Sequence, residues 1–163
     1  MAPDAEELSE GDPADAVLEN ARRKAAVGPT DALVIGCDTD VVVDGRALGK
    51  PADEAQAREF LELLAGRSHE VLSGLVLLGL EPDRIREGVA RSVVTFRRLG
   101  AEQLDRYIAS GEWRERAGGY AIQGLGSTLA ERIEGDLSNV IGLPVALLFE
   151  LAPELVPGGQ GWA

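Results

Sequence analysis

Leu33-Val-Ile-Gly-Cys-Asp-Thr-Asp-Val-Val-Val-Asp-Gly45, with Gly49-Lys50-Pro51 close behind it, decides how this chain folds. The apolar run over 33–43 predicts a buried strand, and Asp44-Gly45 is a two-residue hairpin signal, so a short return arm over Arg46 to Leu48 should follow. The run also carries Asp38 into the strand interior, where an ionised carboxylate is costly unless a cation or a substrate compensates it. The hairpin brings Lys50 back toward Asp38, and Pro51 keeps the lysine backbone extended. A carboxylate and an ammonium joined in this way can hold a metal-bound polyphosphate and activate a water. The plainer alternative is that Asp38-Thr39-Asp40 marks a strand end emerging into solvent.

Upstream, the first dozen residues are polar and acidic and read as a loop, and Asp12-Pro13 then supplies an N-cap and a first-turn proline. Val17, Leu18, Ala21 and Ala25 form the apolar stripe of that helix, and Gly28-Pro29 ends it. Arg22, Arg23 and Lys24 lie in its last turns, where cations suit the dipole; Lys24 is also a candidate phosphate ligand. Downstream, Asp53 caps a second helix with Ala57, Phe60, Leu61 and Leu64 on its inner face and Gly66 as its stop. Two long strands are predicted over 69–80 and 87–98, joined by Glu81-Pro82-Asp83. A helix follows from Ala101 to Ser110. The glycine-rich segment 117–143 reads as irregular, with a strand or hairpin around 126–134. Pro144 opens a last helix bearing Val145, Leu147, Leu148 and Leu151, and the tail from Pro153 reads as loose. The expected architecture is α/β, one domain over 1–163, with a mixed central sheet and flanking helices.

With 163 residues, 45% of them hydrophobic, the chain can bury a real core. Its formal net charge of −12 argues against a general nucleic-acid binder, because no basic stripe is available to displace phosphate counterions. A small phosphorylated ligand is compatible with that field if local lysines or arginines and a divalent cation assist. The single cysteine, Cys37, excludes an intramolecular disulfide, and the single histidine, His69, excludes a His-rich metal site. Cys37 reads as a small core residue and His69 as a strand residue near the surface. No long apolar span and no signal peptide is visible, so a soluble, cytoplasmic protein without membrane partners is expected.

Thr39 could donate a hydrogen bond to a substrate. In Ala117-Gly-Gly-Tyr-Ala-Ile-Gln-Gly124 the glycines allow close backbone approach, and Gln123 offers both a donor and an acceptor to a base edge; a tight turn with an exposed amide is the alternative. Asp136 and Asn139, in Glu134-Gly-Asp-Leu-Ser-Asn-Val, fit either a site or a turn.

The series Asn20-Ala-Arg-Arg-Lys-Ala25, Asp38-Thr39, Gly49-Lys-Pro51, Leu64-Ala-Gly-Arg-Ser-His-Glu-Val71, Ala117 to Gly124, Glu134-Gly-Asp136 and Ser138-Asn-Val-Ile-Gly-Leu-Pro144 resembles the Maf proteins, nucleoside triphosphate pyrophosphatases first described as septum-formation inhibitors. The resemblance implies a fold like that of the inosine triphosphate pyrophosphatases, with a cleft between two lobes, often in a homodimer. It implies divalent-metal-dependent cleavage (Mg²⁺ or Mn²⁺) between the α- and β-phosphates, giving a nucleoside monophosphate and pyrophosphate. By position, Asp38 matches the catalytic acceptor carboxylate and a metal ligand, and Lys24 and Lys50 match the phosphate-facing lysines. Glu6 or Glu7 matches a further metal-linked acid, Glu7 being preferred. Thr39 with Gln123 resembles the subgroup acting on dTTP and UTP, whereas the methylated-GTP subgroup carries Asp-Gln and Ser-Glu-Gly there. A glutamine amide can pair with a pyrimidine carbonyl and imide N–H.

The family ordinarily begins with an apolar strand and a Ser-x-Ser-Pro-Arg-Arg phosphate loop, and here Met1 stands directly before the acids, so an N-terminally truncated member is expected. That departure supports a second class of function, a non-catalytic nucleotide-binding or cell-division regulator. A haloacid dehalogenase-type phosphatase would also use an Asp-x-Asp motif, but it requires a later aspartate pair after its lysine, which the sequence lacks.

Overall fold

The computed structural model describes residues 11–81, 84–156 and 158. Helix α1 spans Pro13–Ala26, with Pro13 in its first turn and the Asp12 carboxylate accepting from the Ala14 N–H at 2.8 Å. Strand β1 follows at Val34–Val43 and turns through Asp44 and Gly45, both at positive φ, the backbone a two-residue hairpin requires. The return strand β2 is only Arg46–Ala47, although the Leu48 N–H still reaches the Val41 carbonyl at 2.9 Å. Helix α2, Glu54–Leu64, is capped by Asp53, and two long strands follow, β3 at Ser68–Glu81 and β4 at Arg84–Phe96. Helix α3 is Ala101–Ser110, β5 is Ala130–Glu134, α4 is Leu137–Ile141 and α5 is Val145–Leu151.

The sheet order is β2-β1-β3-β4-β5, and every pairing among the described residues is antiparallel. This corrects the expectation of a mixed sheet. Each connection between neighbouring strands, whether hairpin or helix, returns the chain to the end of the sheet it left, so no parallel neighbour arises. Because β2 pairs only with Val42 and Val43, residues 34–41 of β1 have no strand on their outer edge among the described residues.

Helix α1 lies on one face of the sheet, close enough that a Cβ at Gly36 would stand 2.3 Å from the Ala21 carbonyl oxygen, and one at Gly74 equally close to that of Val17. Gly36 and Gly74 face Ala21 and Val17 because any side chain there would push the helix away. On the other face, Val41, Val43, Val71, Val94 and Phe96 pack with Phe60, Leu61 and Leu64 of α2, Tyr107 of α3, Trp113 and Tyr120, the largest apolar cluster. Leu75 and Leu77 pack beside it against Leu148 of α5. No helix among the described residues is long and apolar enough to cross a membrane.

Three local readings change. Residues 125–128 form a 3-10 turn and the strand starts only at Ala130, while α4 was not anticipated because its five residues are too few to show a helical period. Pro153–Leu155 forms a 3-10 turn and Val156 is buried, so that part of the tail is packed rather than loose. His69 is buried, at 2% exposure, because β3 is covered by the loop carrying Tyr120.

Candidate active site

Strand alternation sends Asp38 and Asp40 toward α1 and Cys37, Thr39 and Val41 to the opposite face, and the unpaired edge of β1 brings both sets to one cleft of about 400 Å³. Lys24 and Asn20 of α1, Lys50, Glu115, Arg116 and Gln123 complete its polar lining.

Asp38 is 9% exposed and both its oxygens are engaged. Lys24 Nζ forms an ion pair with Oδ1, and Asn20 Nδ2 donates to Oδ2 at 3.0 Å. Asn20 and Lys24 are four residues apart, hence neighbours on one face of α1, so a single helix supplies both partners. That answers how a carboxylate survives in an apolar strand: a cation and an amide replace its hydration. Sequence reading missed Asn20, although its spacing from Lys24 was the available signal.

Asp40 fixes the lysine of the return arm. Its Oδ1 accepts from the Val41 N–H at 2.8 Å and from the Gly49 N–H at 2.9 Å, so Gly49, the residue just before Lys50, is tied to β1. Lys50 lines the same cleft as Asp38, and its ammonium lies 3.5 Å from Glu115 Oε2, with the two side chains 53% and 85% exposed. Glu115 has φ 58, a left-handed conformation costing a non-glycine residue roughly 1–2 kcal/mol.

The loop bearing Gln123 is held at three points. The Gly118 N–H donates to the Gly49 carbonyl at 2.7 Å, the Ala121 N–H donates to the Tyr107 hydroxyl at 3.0 Å, and the Tyr120 hydroxyl lies 2.8 Å from His69 Nε2. Burial pushes the Tyr107 phenol up to about 12 and the Tyr120 phenol higher still, and it pushes His69 down to about 4, so all three are neutral at neutral pH. Gln123 itself is exposed at the cleft mouth.

The Thr39 hydroxyl is 2.7 Å from that of Ser73 and 3.5 Å from the Gly142 carbonyl, which turns it toward the wall built by the end of α4. Cys37 Sγ donates to the same carbonyl at 3.3 Å, and burial raises its pKa to about 11, so it is an unreactive thiol at neutral pH. Asp136 and Asn139 build that wall. Burial raises the Asp136 pKa, but hydrogen bonds from the Ser138 hydroxyl and N–H and from the Ala146 N–H outweigh it and hold the group below its ordinary value. Asn139, fully buried, donates to the Val71 carbonyl and the Ser92 hydroxyl, each at 3.0 Å. Both serve the frame rather than the cleft surface. Glu7 lies outside the described residues, and among those described no three His, Cys, Asp or Glu side chains converge on a common point.

The profile described as Maf-like protein matches residues 1–155. A dTTP/UTP pyrophosphatase of Pyrococcus furiosus is 42% identical over 150 residues, which cover 90% of this chain and 77% of that protein. One of Dictyoglomus thermophilum is 41% identical over 161 residues, 95% of this chain and 83% of that protein. One of Deinococcus radiodurans is 44% identical over 152 residues, 91% and 76% of the two chains. With the motifs converging on one cleft and the profile spanning nearly the whole sequence, the chain belongs to the Maf-like protein family.

Proposed function

We infer that this chain is a nucleoside triphosphate pyrophosphatase that hydrolyses dTTP and UTP to the monophosphate and pyrophosphate. The observation that carries the reading is Asp38, a nearly buried carboxylate held by Lys24 and Asn20 in the cleft that Lys50 and Gln123 also line. The activity shared by the relatives supports the choice of substrate.

In this reading Asp38 orients the attacking water and takes its proton. Lys24 holds the carboxylate in place through their ion pair. Lys50 exchanges its exposed partner Glu115 for substrate phosphate and stabilises charge as pyrophosphate departs. Thr39 and Gln123 contact the nucleoside, Gln123 pairing with the pyrimidine carbonyl and imide N–H. The donor set fits a divalent cation held largely by the substrate: Mg²⁺ commonly uses one or two protein carboxylates plus phosphate oxygens, and Asp38 retains lone pairs beyond its two hydrogen bonds. Asp38, with Glu7 as the second acid, would hold Mg²⁺ or Mn²⁺, which when bound neutralises the triphosphate and lowers the pKa of a bound water. A two-lobed arrangement like that of the inosine triphosphate pyrophosphatases, a homodimer and a cytoplasmic role in cleansing nucleotide pools belong to the same reading.

The test is an assay of purified protein with dTTP and UTP that distinguishes pyrophosphate from orthophosphate. Pyrophosphate release that disappears in Asp38→Asn supports the assignment. Nucleotide binding without turnover would favour the regulatory reading instead.

A further inference from the structure

We propose that Arg116 is a third phosphate-binding cation of this cleft, gripping the polyphosphate of the substrate from the rim opposite α1; the proposal rests on the nucleotide-hydrolase reading of the same site. Arg116 lines both the main cleft and a shallower adjoining cavity of about 420 Å³ shared with Glu112, Arg114 and Gln123. Gln123 also lines both spaces while Lys50 lines only the main cleft, so Arg116 stands where the two cavities join.

Its backbone is fixed while its side chain is not. The Arg116 N–H donates to the Trp113 carbonyl at 3.3 Å and its carbonyl accepts from the Gly119 N–H at 3.0 Å. Two residues on, Gly118 donates to the carbonyl of Gly49, and the preceding residue, Glu115, pairs with Lys50. Two contacts thus dock the segment carrying Arg116 onto the one carrying Lys50, so the two cations share a rim.

The charges of the cleft then sort themselves. Lys24 is matched to Asp38 and Lys50 to Glu115. The other arginine of the adjoining cavity is engaged elsewhere: Arg114 lies over the Trp113 ring at 4.6 Å. The exposed Arg116 guanidinium has no carboxylate partner among the described residues. In a chain of net charge −12, a triply phosphorylated ligand needs such an unmatched cation, and a guanidinium grips phosphate oxygens in pairs.

Binding of inorganic tripolyphosphate in the presence of Mg²⁺, and separately of thymidine, is measured by calorimetry for the parent, Arg116→Gln and Arg116→Lys, with melting temperatures as a folding check. Loss of a charge-assisted phosphate contact should weaken tripolyphosphate binding about tenfold or more in Arg116→Gln. Arg116→Lys should recover part of that loss, and thymidine binding should not change. KM for UTP should rise more in Arg116→Gln than kcat falls. The proposal is overturned if the parent does not bind tripolyphosphate, if Arg116→Gln binds it as tightly as the parent, or if thymidine binding falls equally. If Arg116→Gln loses tripolyphosphate while the parent releases no pyrophosphate from UTP or dTTP, the hydrolase reading fails and the phosphate site stands.

Discussion

Asn20 Nδ2 donates to Asp38 Oδ2 at 3.0 Å, one helical turn before Lys24 closes on the other oxygen of the same carboxylate. The pair ties catalysis to the seating of α1 on the sheet, because the helix supplies both groups that orient the carboxylate. Asp38→Asn should reduce pyrophosphate release from dTTP by about a hundredfold or more, the range for loss of a general base. Asn20→Ala should have a smaller effect, roughly tenfold, since Lys24 still holds Oδ1. Steady-state assays of the two variants check the ranking; equal losses would mean that the carboxylate works only when held at both oxygens.

Gly36→Ala tests the seating directly. Its new methyl would lie 2.3 Å from the Ala21 carbonyl oxygen and 2.7 Å from the Ala25 Cβ, contacts that only a shift of α1 can relieve. A cost of about 1–3 kcal/mol is expected from such overpacking, together with a fall in kcat as Lys24 moves away from Asp38. Urea unfolding and turnover are measured on one preparation. A variant that loses stability but keeps the parent kcat would show that Lys24 tolerates the shift.

Much of the fold was legible because local signals were strong. Asp12-Pro13, Asp44-Gly45 and Asp53 each marked a boundary that the structure keeps. Less was legible where tertiary contacts decide. The antiparallel sense of β1 against β3 depends on how α2 returns the chain, which no periodicity records. His69 looked superficial because β3 carries apolar residues on both faces, leaving no pattern to say which residue the loop at Tyr120 would cover. Asp38, Lys24, Lys50, Thr39 and Gln123 all line the cleft, but the roles of Asp40, Asn20 and Glu115 emerge only from distances.

Gln123→Glu should change which base is tolerated. A glutamate keeps an acceptor but loses the amide donor, so it cannot satisfy the pyrimidine carbonyl and imide together. A loss of roughly ten- to a hundredfold in kcat/KM for UTP is expected, with a smaller loss for a donor-rich purine triphosphate such as GTP. Competition between UTP and GTP in one reaction reads the ratio. An unchanged ratio would remove Gln123 from base recognition.

His69 gives the last prediction, one of stability against pH. Its Nε2 lies 2.8 Å from the Tyr120 hydroxyl, its ring meets Phe96 and Tyr120 edge-on, and its buried Nδ1 has no partner among the described residues. Burial holds its pKa at about 4 rather than 6.5, since a second ring proton would be desolvated and have no acceptor. The folded chain therefore binds fewer protons than the unfolded chain between those two values. The stabilisation is whole above pH 6.5, is lost as pH falls from 6.5 through about 4, and does not change below that, where both states are protonated. Its size is of order 3 kcal/mol. His69→Gln leaves Tyr120 a polar partner and removes the titration, so its urea midpoint should fall less than the parent's between pH 7 and pH 4.5. Carboxylates titrate in both proteins and cancel in the difference. Parallel midpoints across that range would show that the ring is solvated in the folded protein.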